Sequence, residues 1–313
     1  MRRNDPHIHR SREHRRRRMR RHGRRAYIRS VYFLPSLATL GNAICGFGAM
    51  YVAAAAISIE SGADQYVFRD PAARFMAHHG FVAAAYLIFV AMIFDALDGR
   101  LARFTRHTTD FGGQLDSLAD VVSFGAAPAF IALQLFRVEV LDPNPMIPIA
   151  LSRLNWAIGA LFFSCAALRL ARFNVSNEHG EQHHFSFLGL PSPGAGGAVA
   201  AWILMQQDLR WEGITDSGNL AAKHLANACI YVLPIIVLGT GLLMVSNTRY
   251  PHVVNRFMRG KRGFGRLLFV FALLLLLIVW HQYVLGIGML IYAFYGFANW
   301  IFARIRRTHP NIP

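Results

Sequence analysis

Four aspartates form two pairs between residues 95 and 120 of a chain that is otherwise strongly apolar. Asp95 and Asp98 are three residues apart, and Asp116 and Asp120 are four residues apart. Side chains at these spacings share one face of a helix. Acidic groups in apolar helices are costly, so four of them close together call for a compensating cation. Hard divalent cations such as Mg²⁺ and Mn²⁺ prefer oxygen ligands and commonly serve phosphate chemistry. The pattern therefore predicts a metal site that acts on phosphates.

The composition of the chain is that of an integral membrane protein. Hydrophobic residues make up 54% of the sequence and charged residues only 16%, and the mean hydropathy is +0.31. Apolar stretches of about 20 residues, the length that crosses a bilayer core, recur along the sequence. We predict an all-α, polytopic membrane protein with eight transmembrane helices, of which the fifth is short and glycine-rich. The predicted spans lie near 32–58, 80–104, 111–136, 147–171, 193–207, 225–245, 267–284 and 286–303.

The distribution of basic residues predicts the orientation. Thirteen of the 33 Lys and Arg residues lie in the first 30 positions, which places the N-terminus in the cytoplasm by the positive-inside rule. Counting alternate loops from there, both aspartate pairs reach the cytoplasmic surface, joined by the short loop 104–111. We therefore expect a multi-pass protein of the bacterial cytoplasmic (inner) membrane with its site on the cytoplasmic side.

The sequence divides into three predicted regions. Residues 1–30 form a basic, disordered tail, for which contact with anionic lipids is favoured over nucleic-acid binding. Residues 31–245 form the catalytic membrane domain. Residues 246–313 add a basic loop, two further spans and the C-terminus, without a recognisable motif.

The aspartates belong to a longer pattern, D-x2-D-G-x2-A-R-x8-G-x3-D-x3-D, which begins at Asp95 and ends at Asp120. This pattern resembles the signature of the CDP-alcohol phosphotransferase family. The resemblance implies transfer of a phosphatidyl or similar group from a CDP-linked donor to an alcohol, with CMP leaving. It also implies two Mg²⁺ or Mn²⁺ ions held by the four aspartates, Asp120 as general base, and a homodimer. The expected nucleotide-binding residues are Thr39, Asn42, Asp98, Gly99, Ala102, Arg103, Thr109 and Gly112, of which Thr39 and Asn42 have interhelical hydrogen bonding as an equal alternative.

Further segments suggest the acceptor. Segments around Asn42, Arg169 and Pro191 resemble the membrane-embedded bacterial phosphatidylserine synthases, which implies CDP-diacylglycerol and L-serine as substrates. Serine carries a carboxylate, which Arg169 or Arg172 could clamp, with Asn174 as a polar neighbour. The alternative for these arginines is that of positive anchors at the membrane surface.

Other functions remain open on the sequence alone. The same reaction class could use glycerol 3-phosphate, choline or inositol as acceptor. A cation transporter would also carry intramembrane acids, although such sites usually lie near the bilayer midplane. A membrane scaffold with a nucleic-acid-binding tail would leave the aspartate pattern without a role.

Overall fold

The computed structural model describes residues 37–58, 79–105, 110–141, 149–178, 187–215, 219–250, 271, 273 and 275–308. Helix α1 spans Leu37–Ser58 and α2 spans Gly80–Thr105. Helix α3 runs from Asp110 to Leu141 and includes two π-helical turns, Val121–Ala126 and Arg137–Leu141. Helices α4, α5, α6 and α7 span Ile149–Glu178, Ser192–Thr215, Leu220–Val245 and His281–Thr308. The predicted all-α membrane fold is confirmed.

Among the residues that the structure describes, five helices are long and apolar enough to cross a membrane: α1, α2, α3 from Phe111, α4 to Val175, and α6. Of the eight predicted spans, those at 193–207 and 286–303 are not among these five, and the span at 267–284 lies partly outside the described residues. Many large apolar side chains of the five helices are exposed. On α1, for example, Ile44, Phe47 and Tyr51 are each more than half exposed and follow one helix face. Such a surface is stable against lipid and unfavourable against water.

Helix α5 lies at the centre of the bundle, packed against α2, α3, α6 and α7. Its first ten residues, 192–201, are nearly all small and buried. A Cβ at Gly196 would lie 3.1 Å from Pro128 and one at Gly197 would lie 2.4 Å from Met289. Close approach of helices through small residues is typical of membrane bundles.

Several predicted boundaries are wrong, because helices continue beyond the predicted spans. The fifth span, for example, was expected to end near 207, but α5 continues to Thr215, and its Arg210 pairs with Glu139 of α3. The boundary between the last two spans was expected near 285. The helical backbone instead bends at Trp280, and α7 begins at His281.

A short antiparallel pair of strands forms from the segment before α5 and the segment after α6. Strand β1 (Phe187–Leu188) pairs with β2 (Arg249–Tyr250). Between β1 and α5, Gly189 adopts φ +85°, and a Cβ there would lie 2.2 Å from the carbonyl oxygen of Met244. Only glycine fits this turn, which directs the chain into the first turn of α5.

Candidate metal centre and active site

The two aspartate pairs meet where α2 ends and α3 begins. One carboxylate oxygen each from Asp95, Asp116 and Asp120 lies within 4.8 Å of the others. We call these three residues the carboxylate cluster. Asp120 is 7% exposed, and Asp95 and Asp116 are partly buried. Three acids so close in an apolar bundle repel one another, and a bound cation would offset that repulsion.

Two buried oxygen atoms, one within the cluster and one next to it, lack hydrogen-bond partners within the part of the chain that the structure describes. They are Oδ1 of Asp116 and Oδ1 of Asn42. Buried polar atoms are nearly always satisfied in folded proteins, so such atoms need a specific explanation. Carboxylate and amide oxygens are the ligands that hard divalent cations prefer. The cluster therefore fits a divalent metal ion.

Helix α1 supplies hydrogen bonds to both aspartate pairs. Asn42 donates from Nδ2 to Oδ1 of Asp120 over 3.0 Å, and the Thr39 hydroxyl donates to Asp98. Both α1 residues are buried. The interhelical hydrogen bonds considered as an alternative from the sequence are thus present, and nucleotide binding by Thr39 and Asn42 stays a prediction.

Close packing of α1 against the first π-helical turn of α3 holds Asn42 in place. Ser123, in that turn, donates its hydroxyl to the backbone oxygen of Asn42 over 2.8 Å. A Cβ at Gly46 would lie 2.4 Å from the Ser123 hydroxyl oxygen, so glycine is needed at this crossing. The π-helical turn follows Asp120 directly, and π turns of this kind are frequent at functional sites.

Asp98 differs from the other three aspartates. It is 7% exposed and hydrogen-bonded to Thr39, and it lies outside the three-residue cluster. It remains near enough to Asp95 and Asp116 for the carboxylates to repel one another. Its predicted role as a fourth metal ligand stays a prediction.

The two candidate acceptor arginines lie in different surroundings. Arg169 is partly buried, and its guanidinium is within electrostatic range of Asp95 and Asp120. Its Nη1 donates to the Ser192 hydroxyl over 2.8 Å, whereas its buried Nε has no partner among the described residues. Arg172 is exposed and donates to Oδ1 of Asn247 over 3.2 Å. Of the two, the structure brings Arg169 to the carboxylate cluster.

The other predicted site residues are described to different extents. Asn174 accepts a 3.0 Å hydrogen bond from Ser117, one position after Asp116. Gly99 is exposed, with open space where a Cβ would be, and Gly112 is half-buried. Ala102 and Arg103 lie on α2, but their side chains are outside the description, as is the whole of Thr109.

Sequence reasoning missed three serines and one tyrosine. Ser117, Ser123 and Ser192 hydrogen-bond predicted site residues. Tyr292 of α7 is within electrostatic range of Arg169. The position of Ser117 next to Asp116 was a usable signal. Nothing in the sequence around Tyr292 indicates this contact, because it depends on how α7 packs.

Comparison with known proteins identifies related enzymes. Relatives from bacteria and archaea bear the name CDP-diacylglycerol–serine O-phosphatidyltransferase. That of Helicobacter pylori (strain ATCC 700392 / 26695) is 33% identical over 233 residues, covering 74% of this chain and 85% of the relative. That of Methanocaldococcus jannaschii is 33% identical, covering 69% and 83%. That of Bacillus subtilis (strain 168) is 28% identical, covering 70% and 90%.

The family described as CDP-alcohol phosphatidyltransferase matches residues 32–223. That range contains the carboxylate cluster, its α1 partners and both candidate arginines. The family resemblance predicted from the aspartate pattern is therefore confirmed, and the protein belongs to the CDP-alcohol phosphatidyltransferase family.

Proposed function

We propose that the protein transfers the phosphatidyl group of CDP-diacylglycerol to L-serine, giving phosphatidylserine and CMP. The observation that carries the proposal is the carboxylate cluster, in which Oδ1 of Asp116 has no partner among the described residues and which lies within electrostatic range of Arg169. The names of the relatives support the same reaction.

The carboxylate cluster would hold divalent metal. Asp95, Asp116 and Asp120 present the oxygen-only ligand set that suits Mg²⁺ or Mn²⁺, and Asp98 completes the proposed set for two ions. When bound, the metal would neutralise the pyrophosphate of the donor and stabilise charge on the departing CMP.

Asp120 is the proposed general base. The serine hydroxyl oxygen bonds to the lipid-side phosphorus of the donor, the bond from that phosphorus to CMP breaks, and the hydroxyl proton passes to a carboxylate oxygen of Asp120. Asn42 holds Oδ1 of Asp120 by a 3.0 Å hydrogen bond, which fixes the orientation of the carboxylate. A carboxylate can act here because it is held close to the nucleophile.

The donor nucleotide would lie along the ends of α2 and α3. The open space at Gly99 leaves room for it. The proposed contacts are the motif residues Asp98, Gly99, Ala102, Arg103 and Gly112, together with Thr39 and Asn42 of α1 and Thr109.

Arg169 is the proposed clamp for the serine carboxylate. A guanidinium offers two parallel donors to a carboxylate, and Nε of Arg169 is still unpartnered in the described region. Arg172 and Asn174 would contribute less, since Arg172 is exposed and engaged with Asn247.

The Arg169→Lys variant tests this clamp. Lysine keeps the charge but lacks the planar fork, so we expect the KM for serine to rise by about ten-fold, with a much smaller change in the KM for CDP-diacylglycerol. Arg172→Lys is the matched control and should change the serine KM little. Equal effects of the two variants on the serine KM would contradict the assignment to Arg169.

The site would face the cytoplasm, where both nucleotide and serine are available. The support is the positive N-terminal region and the bias of Lys and Arg toward the same side. We propose a multi-pass location in the bacterial inner membrane, with residues 1–30 contacting anionic lipid. Homodimer formation is inferred from the family resemblance alone.

The direct test of the reaction offers purified full-length protein CDP-diacylglycerol and Mn²⁺ with one alcohol at a time. The alcohols are serine, ethanolamine, glycerol 3-phosphate, choline and inositol, and mass spectrometry identifies the lipid product. We expect phosphatidylserine and an equal amount of CMP from serine, and little product from ethanolamine, which lacks the carboxylate. A product formed only with another alcohol would overturn the serine assignment and leave the reaction class standing.

A further inference from the structure

The last helix reaches the proposed acceptor site, although it lies beyond the residues that match the family. Helix α7 packs on the glycine-rich face of α5. Gly194 and Gly197 of α5 lie on that face, one helical turn apart, and meet Tyr292 and Met289 of α7 respectively. The absence of side chains at these glycines allows α7 to come this close.

Tyr292 contacts the turn of α5 that holds Arg169. A Cβ at Gly194 would lie 3.0 Å from Cε1 of the Tyr292 ring, so the ring lies directly against this turn. Two residues earlier, fully buried Ser192 accepts the 2.8 Å hydrogen bond from Nη1 of Arg169. The Tyr292 ring therefore contacts the first turn of α5, and the same turn contacts the Arg169 guanidinium.

The position of the Arg169 guanidinium depends on its contact with the first turn of α5. Its Nη1 is bonded to Ser192, and its Nε is without a partner in the described structure. The Tyr292 hydroxyl also lies within electrostatic range of the guanidinium. A shift of the Ser192–Gly194 turn would therefore move the arginine relative to the carboxylate cluster.

We propose that Tyr292 is a positioning residue for acceptor binding. Its ring supports the first turn of α5, which holds Arg169 where it can bind the carboxylate of the acceptor. The proposal rests on the proposed function, since it assigns a residue to serine binding. It gives α7 a role in substrate selection.

The test compares Tyr292→Leu and Tyr292→Phe in the full-length protein. Leucine removes the aromatic ring, whereas phenylalanine keeps it. We expect Tyr292→Leu to raise the KM for serine by about ten-fold, since small displacements of substrate-binding groups are costly. The KM for CDP-diacylglycerol should stay within about two-fold of wild type, and Tyr292→Phe should restore most of the serine affinity.

A second variant approaches the same contact from α5. Gly194→Ala places a methyl group against the Tyr292 ring and should also raise the serine KM selectively. Gly288→Ala is its matched control, because a Cβ at Gly288 meets nothing within 4 Å. If Tyr292→Leu does not fold, Gly194→Ala alone decides the question.

The outcomes separate this inference from the proposed function. If wild type makes phosphatidylserine but Tyr292→Leu and Gly194→Ala keep the wild-type serine KM, the positioning role is wrong. Equal rises in KM for serine and CDP-diacylglycerol, or equal effects of Phe and Leu, would also overturn support through the ring. If wild type makes no product from serine, the proposed function fails first.

Discussion

Helix α3 carries a buried acidic site at each end, and the two are built differently. Near its C-terminal end, Glu139 accepts hydrogen bonds from Gln206 over 2.7 Å and Gln207 over 2.8 Å, and pairs with Arg210 at 3.0 Å. Near its N-terminal end, Asp116 and Asp120 face Asp95, and Oδ1 of Asp116 lacks a partner among the described residues. The two sites are roughly 30 Å apart along the helix.

This difference in hydrogen bonding indicates a structural role for the Glu139 site and a functional role for the carboxylate cluster. The Glu139 site has amide donors and a cation supplied by α5, so its charge is compensated within the protein. The carboxylate cluster gathers three acids, and Oδ1 of Asp116 has no donor among the described residues, so a divalent cation from outside would compensate its charge. Within the described residues, an unpartnered buried oxygen such as Oδ1 of Asp116 therefore favours a functional role over a purely structural one.

We expect metal removal to show the largest difference between the carboxylate cluster and the Glu139 site. Excess EDTA should abolish transfer, and added Mg²⁺ or Mn²⁺ should restore it, because the proposed reaction uses a cation held by the carboxylate cluster. Zn²⁺ should restore activity poorly, since its usual sites draw on His and Cys. The measurement is CMP release before and after chelation. Full activity in excess EDTA would remove the distinction between the two sites.

Asp120→Asn should reduce turnover by about 100-fold or more, because it removes the proposed base and keeps the shape of the side chain. Steady-state CMP release checks this value, with circular dichroism as the control for folding. A variant that keeps more than about a tenth of wild-type turnover would exclude Asp120 as general base.

Glu139→Gln should have the smallest effect on catalysis. The change weakens the contacts to Gln206, Gln207 and Arg210, and we expect a stability loss of roughly 1 kcal/mol, because Arg210 is 39% exposed and solvent screens its charge. The melting temperature should fall by about 2–4 °C, while kcat per folded molecule stays within about two-fold of wild type. A kcat loss like that of Asp120→Asn would mean that the Glu139 site takes part in the reaction.

The helices and the type of reaction could be predicted from the sequence better than the contacts between distant segments. Hydrophobic stretches located α1 to α4 and α6, because lipid-facing helices must be apolar along their length. Fixed spacing between aspartates predicted the cluster, since helical periodicity brings Asp116 and Asp120 to one face. Both signals are local in sequence.

Features that depend on packing between distant segments were not predictable. The polar end of α5 resembles a loop by composition, yet Gln206 and Gln207 are paired with Glu139 from α3. The choice between Arg169 and Arg172 required the position of Ser192. The contact of Tyr292 with Gly194 depends on how α7 packs against α5, which no spacing in either helix encodes.

Mn²⁺ binding measured by electron paramagnetic resonance tests the central claim most directly, because it counts bound ions without requiring turnover. It should be carried out on wild type, Asp116→Asn and Glu139→Gln. The account predicts that wild type and Glu139→Gln bind Mn²⁺ alike and that Asp116→Asn binds it at least about ten-fold more weakly. Unchanged Mn²⁺ binding by folded Asp116→Asn, or its loss in folded Glu139→Gln, would contradict the assignment of the carboxylate cluster as the metal centre.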